Sequence, residues 1–162
     1  MKPESKYYSL TEARAKIQGY CAYQERSHKE VVDKLKEIGL IEEARDLLIG
    51  ELIQDNFLNE TRFAESYVRG KFFSKKWGKI KIKQGLSRHD ISSYNLKKAF
   101  AQISDSTYRE CALELAKKKV DQLELKDLSP IVIKSRTLRY LASKGYESDI
   151  CYSVCEDLIP FR

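Results

Sequence analysis

The sequence predicts an all-α protein built from three tandem three-helix repeats that form an elongated, curved array. Three observations carry that expectation. The prolines are Pro3, Pro130 and Pro160, so residues 4 to 129 lack the residue that most disrupts a helix interior. Ala, Leu, Lys, Glu and Arg, all strong helix formers, are abundant throughout. The chain also repeats itself: "LKEIGL" (35–40), "LSRHDI" (86–91) and "LASKGY" (141–146) align without gaps. The match continues into the following helix through Leu48, Ala99 and Val154, and then through Leu52, Ile103 and Leu158. Apolar residues that recur after the same turn imply units stacked with cores shared between neighbours.

The first unit (9–56) reads as helices 9–23, 27–38 and 41–55. "SLTE" (Ser9 to Glu12) and "SHKE" (Ser27 to Glu30) fit the capping box, in which a hydroxyl and a carboxylate satisfy free backbone amides. Gly39 can take the left-handed conformation that stops the middle helix. In the second unit (57–105) the helices are 59–76, 78–88 and 92–103. "KIKIK" (79–83) alternates as a strand would, but it is five residues long and finds no partner strand, so helix is retained. Asp90 stands where the other copies have glycine, and Asp tolerates a left-handed turn. The third unit (106–162) reads as 107–123, 129–144 and 147–158. "TYRE" (Thr107 to Glu110) supplies a capping box, Ser129–Pro130 an N-cap with proline in the first turn, and Gly145 a stop.

The 162 residues, 42% hydrophobic, suffice to bury a core. The start, "MKPESKYYSL", lacks the apolar segment of a signal peptide, and no run approaches membrane-spanning length. Cys21, Cys111, Cys151 and Cys155 form no CxxC pair, so reduced thiols in a cytoplasmic monomer are expected. A metal site made from Cys151, Cys155 and the two histidines is a minor reading, since cysteine serves as a small core hydrophobe. No phosphate loop, HExxH or GxSxG is present, and His28 and His89 read as surface residues. The expectation is a protein that is not an enzyme and takes no cofactor or metal.

Charge is the informative feature. The net charge is +6, but residues 41–60 hold six acids against Arg45, and a basic block follows. From Ser66 through His89 there is no acid and there are eight bases: Arg69, Lys71, Lys75, Lys76, Lys79, Lys81, Lys83 and Arg88. A solvated helix face commonly mixes signs for i, i+4 pairing, and this block does not. Such density calls for a polyanion, and nucleic acid, with about one charge per 1.7 Å of duplex axis, is the natural one. Helix 59–76 would carry Arg69, Lys75 and Lys76 along its later half. Phe72, Phe73 and Trp77 lie among the bases, either as core or as stacking platforms. A base-reading helix–turn–helix is disfavoured, because "IEEARDLLIGEL" and "ESDICYSVCEDL" are acidic; only unit two, with Lys97 and Lys98, escapes that objection.

"RFAESYVR" (62–69), followed by a basic run and a short helix, resembles the middle of the RecX family of regulatory proteins. "RSHKEVVDKLKEIG" (26–39) is similar to that family's first unit. Asp90 and Trp77 depart from the family pattern, the first at a turn where glycine is common, the second in a segment that is usually less bulky. The resemblance implies three tandem three-helix repeats. It also implies a non-enzymatic cytoplasmic regulator that lies in the groove of RecA–DNA filaments, inhibits ATP hydrolysis and strand exchange, and so modulates recombinational repair and the SOS response. The family contributes no catalytic residues, so the eight bases are the candidate site for DNA phosphates, single- or double-stranded, or for the filament. The alternative reading is a sequence-independent nucleic-acid-binding accessory protein without a recombinase partner.

Overall fold

A computed structural model describes residues 6–159, and among these the secondary structure is entirely helical. Unit one consists of α1 (Leu10–Tyr23), α2 (His28–Glu37) and α3 (Glu42–Gln54). Unit two has α4 (Glu60–Phe73), α5 (Lys79–Leu86), which runs into a 3-10 turn (Ser87–His89), and α6 (Ser93–Phe100). Unit three has α7 (Asp105–Glu124), α8 (Pro130–Lys144) and α9 (Ser148–Leu158). The surface is 10587 Å², against roughly 8,300 Å² for a compact globule of this mass, as an extended array requires.

The local signals act as their chemistry dictates. Ser9 and Ser27 both close capping boxes with Glu12 and Glu30, each cap contributing about 1 kcal/mol. Gly39 and Gly145 take φ of +85° and +94°, and Asp90 adopts the left-handed region at +51° in the corresponding turn. "KIKIK" is helical because only Ile82 is fully buried while Ile80 is exposed, and Ile82 pairs with buried Leu86 one turn on.

Three boundaries differ from expectation. Thr107 is not a cap: the chain enters α7 at Ser104, whose hydroxyl accepts from the Thr107 N–H at 3.1 Å. Helix α6 stops at Phe100 rather than residue 103, leaving buried Ile103 in the turn that follows. Helix α4 stops at Phe73, so Lys75 and Lys76 lie beyond it, with Lys76 left-handed at φ +58°. Its end is set by contacts from unit three that override local propensity, described below.

Leu35, Leu86 and Leu141 occupy equivalent places and are 0%, 1% and 0% exposed. Leu48, Ala99 and Val154 are likewise buried, and Leu158 only partly. Truncating any of the three leucines to alanine should cost about 3 kcal/mol in denaturant unfolding, from lost burial and the cavity left behind. A cost below 1 kcal/mol at one of them would break the equivalence of that unit.

The expected sharing of cores is extensive across only one of the two joints. Units two and three share one core, in which Phe63, Phe72, Ile82 and Leu86 meet Tyr108, Leu141, Tyr146 and Val154. Unit one packs a core around Ile17, Val31, Leu35, Leu48 and Leu52, to which unit two adds its lead-in residues Phe57 and Leu58. Its joint to unit two includes polar links. Arg62 pairs with Glu25 at 2.5 Å and also donates to the Asn56 and Phe57 carbonyls. His89 Nδ1 lies 2.9 Å from the Ser27 hydroxyl, and the His89 ring packs on Phe63 at 4.9 Å. His89 is therefore a joint residue rather than the surface residue its sequence position suggested.

Candidate nucleic-acid interface

The basic block is held by unit three. After α4, left-handed Lys76 turns the chain so that the Trp77 N–H reaches the Lys71 carbonyl at 3.1 Å. The Tyr146 hydroxyl donates to the Lys76 carbonyl at 3.0 Å. The Gly78 N–H donates to the Lys144 carbonyl at 2.8 Å, and the Ile80 N–H to the Gly145 carbonyl at 3.0 Å. The Lys79 N–H donates to the Tyr108 hydroxyl at 2.9 Å, which in turn donates to the Glu147 carboxylate at 2.5 Å. Burial, then the bond to Glu147, raises the Tyr108 pKa well above the usual tyrosine range, so this relay keeps its proton at any physiological pH.

The approach of the two backbones depends on glycine. A Cβ on Gly78 would stand 2.3 Å from the Gly145 carbonyl carbon, and a Cβ on Gly145 would stand 2.3 Å from Lys81 Cβ. Several amides at the start of α5 are thereby taken up by unit three. They hold the loop in place and are not free for an anion.

Helix α5 separates its bases. Residues two apart on a helix point about 200° from each other, residues four apart nearly alike. Lys79 and Lys83 accordingly share a side, over the Tyr108 ring at 4.6 Å and the Phe100 ring at 5.5 Å. Lys81 takes the other side, over Trp77 at 4.6 Å, where Lys71 of α4 joins it at 4.8 Å. Arg69 reaches toward α6, donating to the Gln102 side chain at 3.0 Å. Arg88, in the 3-10 turn, is exposed, as is Lys75, while Lys76 is half-buried. The eight candidates are thus brought onto one unit but spread over more than one of its sides.

The aromatics also divide. Phe72 is core at 1% exposure, Phe73 is exposed and meets the Phe72 ring edge-on, and Trp77 is half-buried. All four thiols are buried. The Cys151 thiol is pushed up to about 11 by burial and the neighbouring Cys155, so it stays protonated and a poor nucleophile at neutral pH. Among the described residues no group of three or more His, Cys, Asp or Glu side chains is placed to hold a metal ion. No described helix is long and apolar enough to cross a membrane.

Charge counting found the lysines but missed what places them: Gly78, Gly145, Tyr108 and Tyr146. The glycine pair had a visible signal, since both stand at element boundaries. The two tyrosines had none, because a buried hydroxyl is recognised only by its distant partner.

Comparison with known proteins agrees with this architecture. Residues 59–99 match the family model for the second three-helix domain of RecX, and residues 106–155 match that for the third. A regulatory protein RecX of Clostridium perfringens (strain 13 / Type A) is 32% identical over 133 residues, 82% of this chain and 62% of that protein. One from Clostridium botulinum (strain Alaska E43 / Type E3) is 32% identical over 137 residues, 85% of this chain and 64% of that protein. The chain therefore spans less than two thirds of the length of these relatives. The crystal structure of RecX from Lactobacillus salivarius superposes with a TM-score of 0.84 at 27% identity, covering 92% of this chain and 96% of that one. Fold, repeat and family models converge, and the chain belongs to the RecX family of regulatory proteins.

Proposed function

We propose that this chain is a cytoplasmic, non-enzymatic regulator that binds RecA–DNA filaments and slows their ATP hydrolysis and strand exchange. The observation that carries the reading is the braced basic unit. Eight cations with no acid between them in sequence stand on unit two, and unit three ties down residues 76–80 at the centre of that segment through main-chain and tyrosine hydrogen bonds. A rigid cationic surface loses little conformational freedom on docking, so its attraction to phosphate is not spent on ordering the loop. An extended array has the form needed to touch successive subunits of a helical filament and so to oppose the rearrangement that turnover requires.

The test is recombinase ATPase on single-stranded DNA, titrated with this protein, beside binding to coated and to naked strands. Falling ATPase with preferential binding to coated strands is the expected outcome. Equal binding to both with unchanged ATPase would replace this reading with that of an accessory protein that binds nucleic acid alone. Affinity for naked duplex should be electrostatic and indifferent to sequence. If about five phosphates are neutralised, log affinity should fall against log salt with a slope of roughly −4 to −5. A flat salt response, or strong preference for one base sequence, would remove the basic block from the mechanism.

A further inference from the structure

We infer that the Trp77 side of unit two is a stacking track for single-stranded DNA, leading from Trp77 into the cleft between units one and two. The inference rests on the reading above for its nucleic-acid ligand and adds the form of that ligand and the residues that receive it.

Cations and rings alternate from Lys81 to Tyr67. Lys81 lies over Trp77, and the Lys71 ammonium lies over both Trp77 at 4.8 Å and Tyr67 at 5.3 Å. Half-buried Tyr67 then meets His89 at 5.9 Å, and His89 is backed at 4.9 Å by Phe63, which is itself core at 5% exposure, so the rings open to a base are Trp77, Tyr67 and His89. The cleft beyond, about 330 Å³, is lined by Glu25, Glu30, Phe63, Tyr67, Lys71 and His89 among others. Of its two carboxylates, Glu25 is neutralised by Arg62 at 2.5 Å, whereas Glu30 accepts from the Ser27 N–H at 2.7 Å and keeps its charge, so a strand's phosphates keep to the Lys71 side of the cleft. On the far side of Tyr67, exposed Arg88 lines a second cleft of about 340 Å³ together with Lys29 and Asp33, which pair with each other at 2.9 Å, and it shares Tyr67, Glu30 and His89 with the first.

A row of ring faces each with a cation beside it suits a single strand, whose bases are free to leave one another and whose phosphates follow at each step. A base arriving at Trp77 displaces one ammonium from the ring face, and that ammonium then meets the adjoining phosphate. The cation–π contact of the free protein is exchanged for a stack and an ion pair. A duplex keeps its bases inside and cannot make that exchange.

Trp77 is the protein's one tryptophan, so its emission reports on this site alone. Oligo-dT should quench that fluorescence with saturable binding, whereas inorganic polyphosphate should compete for the lysines without quenching to the same depth. Trp77→Ala should weaken oligo-dT binding about 5- to 100-fold, the range for loss of one stacked base, and Trp77→Phe should restore most of it. Lys71→Gln with Lys81→Gln leaves the ring in place and should reduce both affinity and the salt dependence. Equal quenching by polyphosphate and oligo-dT, or no quenching under saturation, would overturn the track even if every substituted protein failed to fold, because that measurement uses the unaltered chain. If oligo-dT fails to quench while filaments are still bound and inhibited, the track is wrong and the regulatory reading stands. If quenching occurs without filament inhibition, the reverse holds.

Discussion

Gly145→Ala should destabilise the protein by roughly 2–5 kcal/mol and uncouple unit three from the basic loop. Two costs combine. Gly145 sits at φ +94°, outside the region an L-residue with a Cβ adopts easily, which is worth about 1–2 kcal/mol. The new methyl would also lie 2.3 Å from Lys81 Cβ and 2.6 Å from the Lys81 nitrogen, and backbone cannot swing aside as a side-chain tip can. Overpacking of this kind typically adds another 1–3 kcal/mol. Gly50→Ala is the control. Gly50 lies inside α3 with open space where its Cβ would go, so alanine there should stabilise by about 0.5–1 kcal/mol. Denaturant midpoints of the two variants measure the difference. If Gly145→Ala matched the parent, the joint would be soft, and the picture of a loop braced by unit three would go with it.

That prediction depends on a contact no sequence pattern announces. Short-range features were legible: the capping hydroxyls of Ser9 and Ser27, the left-handed stops at Gly39 and Gly145, and the recurrence that placed Leu35, Leu86 and Leu141 in the core. Each depends on neighbours a few residues away or on a periodic face. The end of α4 was not legible, because Lys76 has no left-handed preference of its own. It is held there in part by Tyr146, seventy residues on, whose hydroxyl takes the Lys76 carbonyl as its acceptor. The candidate site was legible as composition and illegible as geometry. Counting bases treated Lys79, Lys81 and Lys83 as one patch, whereas the helical turn sends Lys81 to Trp77 and the other two toward Tyr108 and Phe100. His89 shows the same limit. It follows a basic run in sequence, yet the fold seats it on Phe63 beside Ser27 of another unit.

Reversing Lys75, Lys76, Lys79 and Lys83 to glutamate should abolish recombinase inhibition while leaving the helices intact. Lys75 and Lys76 lie in the turn after α4, where helix propensity has no bearing, and Lys79 and Lys83 lie in α5, where Glu and Lys have similar propensities. The cost to the fold is small but not zero. Lys79 and Lys83 give up contacts with the Tyr108 and Phe100 rings, each worth about 0.5–1 kcal/mol at an exposed site. Glu at 79, the first residue of α5, suits the helix dipole, whereas Glu at 83, in the last turn, opposes it, so the two nearly cancel. The effect on function is of another size. Each reversal replaces an attraction to phosphate with a repulsion, and screening at about 0.15 M salt confines these forces to roughly 8 Å, so only contacting charges count. Reversing Lys117, Lys118 and Lys119 on α7 changes a similar charge away from the braced loop, and that variant should inhibit like the parent. Circular dichroism on both variants beside the ATPase titration makes the comparison. A folded quadruple variant that inhibits as well as the parent would reduce the basic block to a solvated surface. Loss of inhibition in both variants would mean that net charge, not the braced face, governs binding.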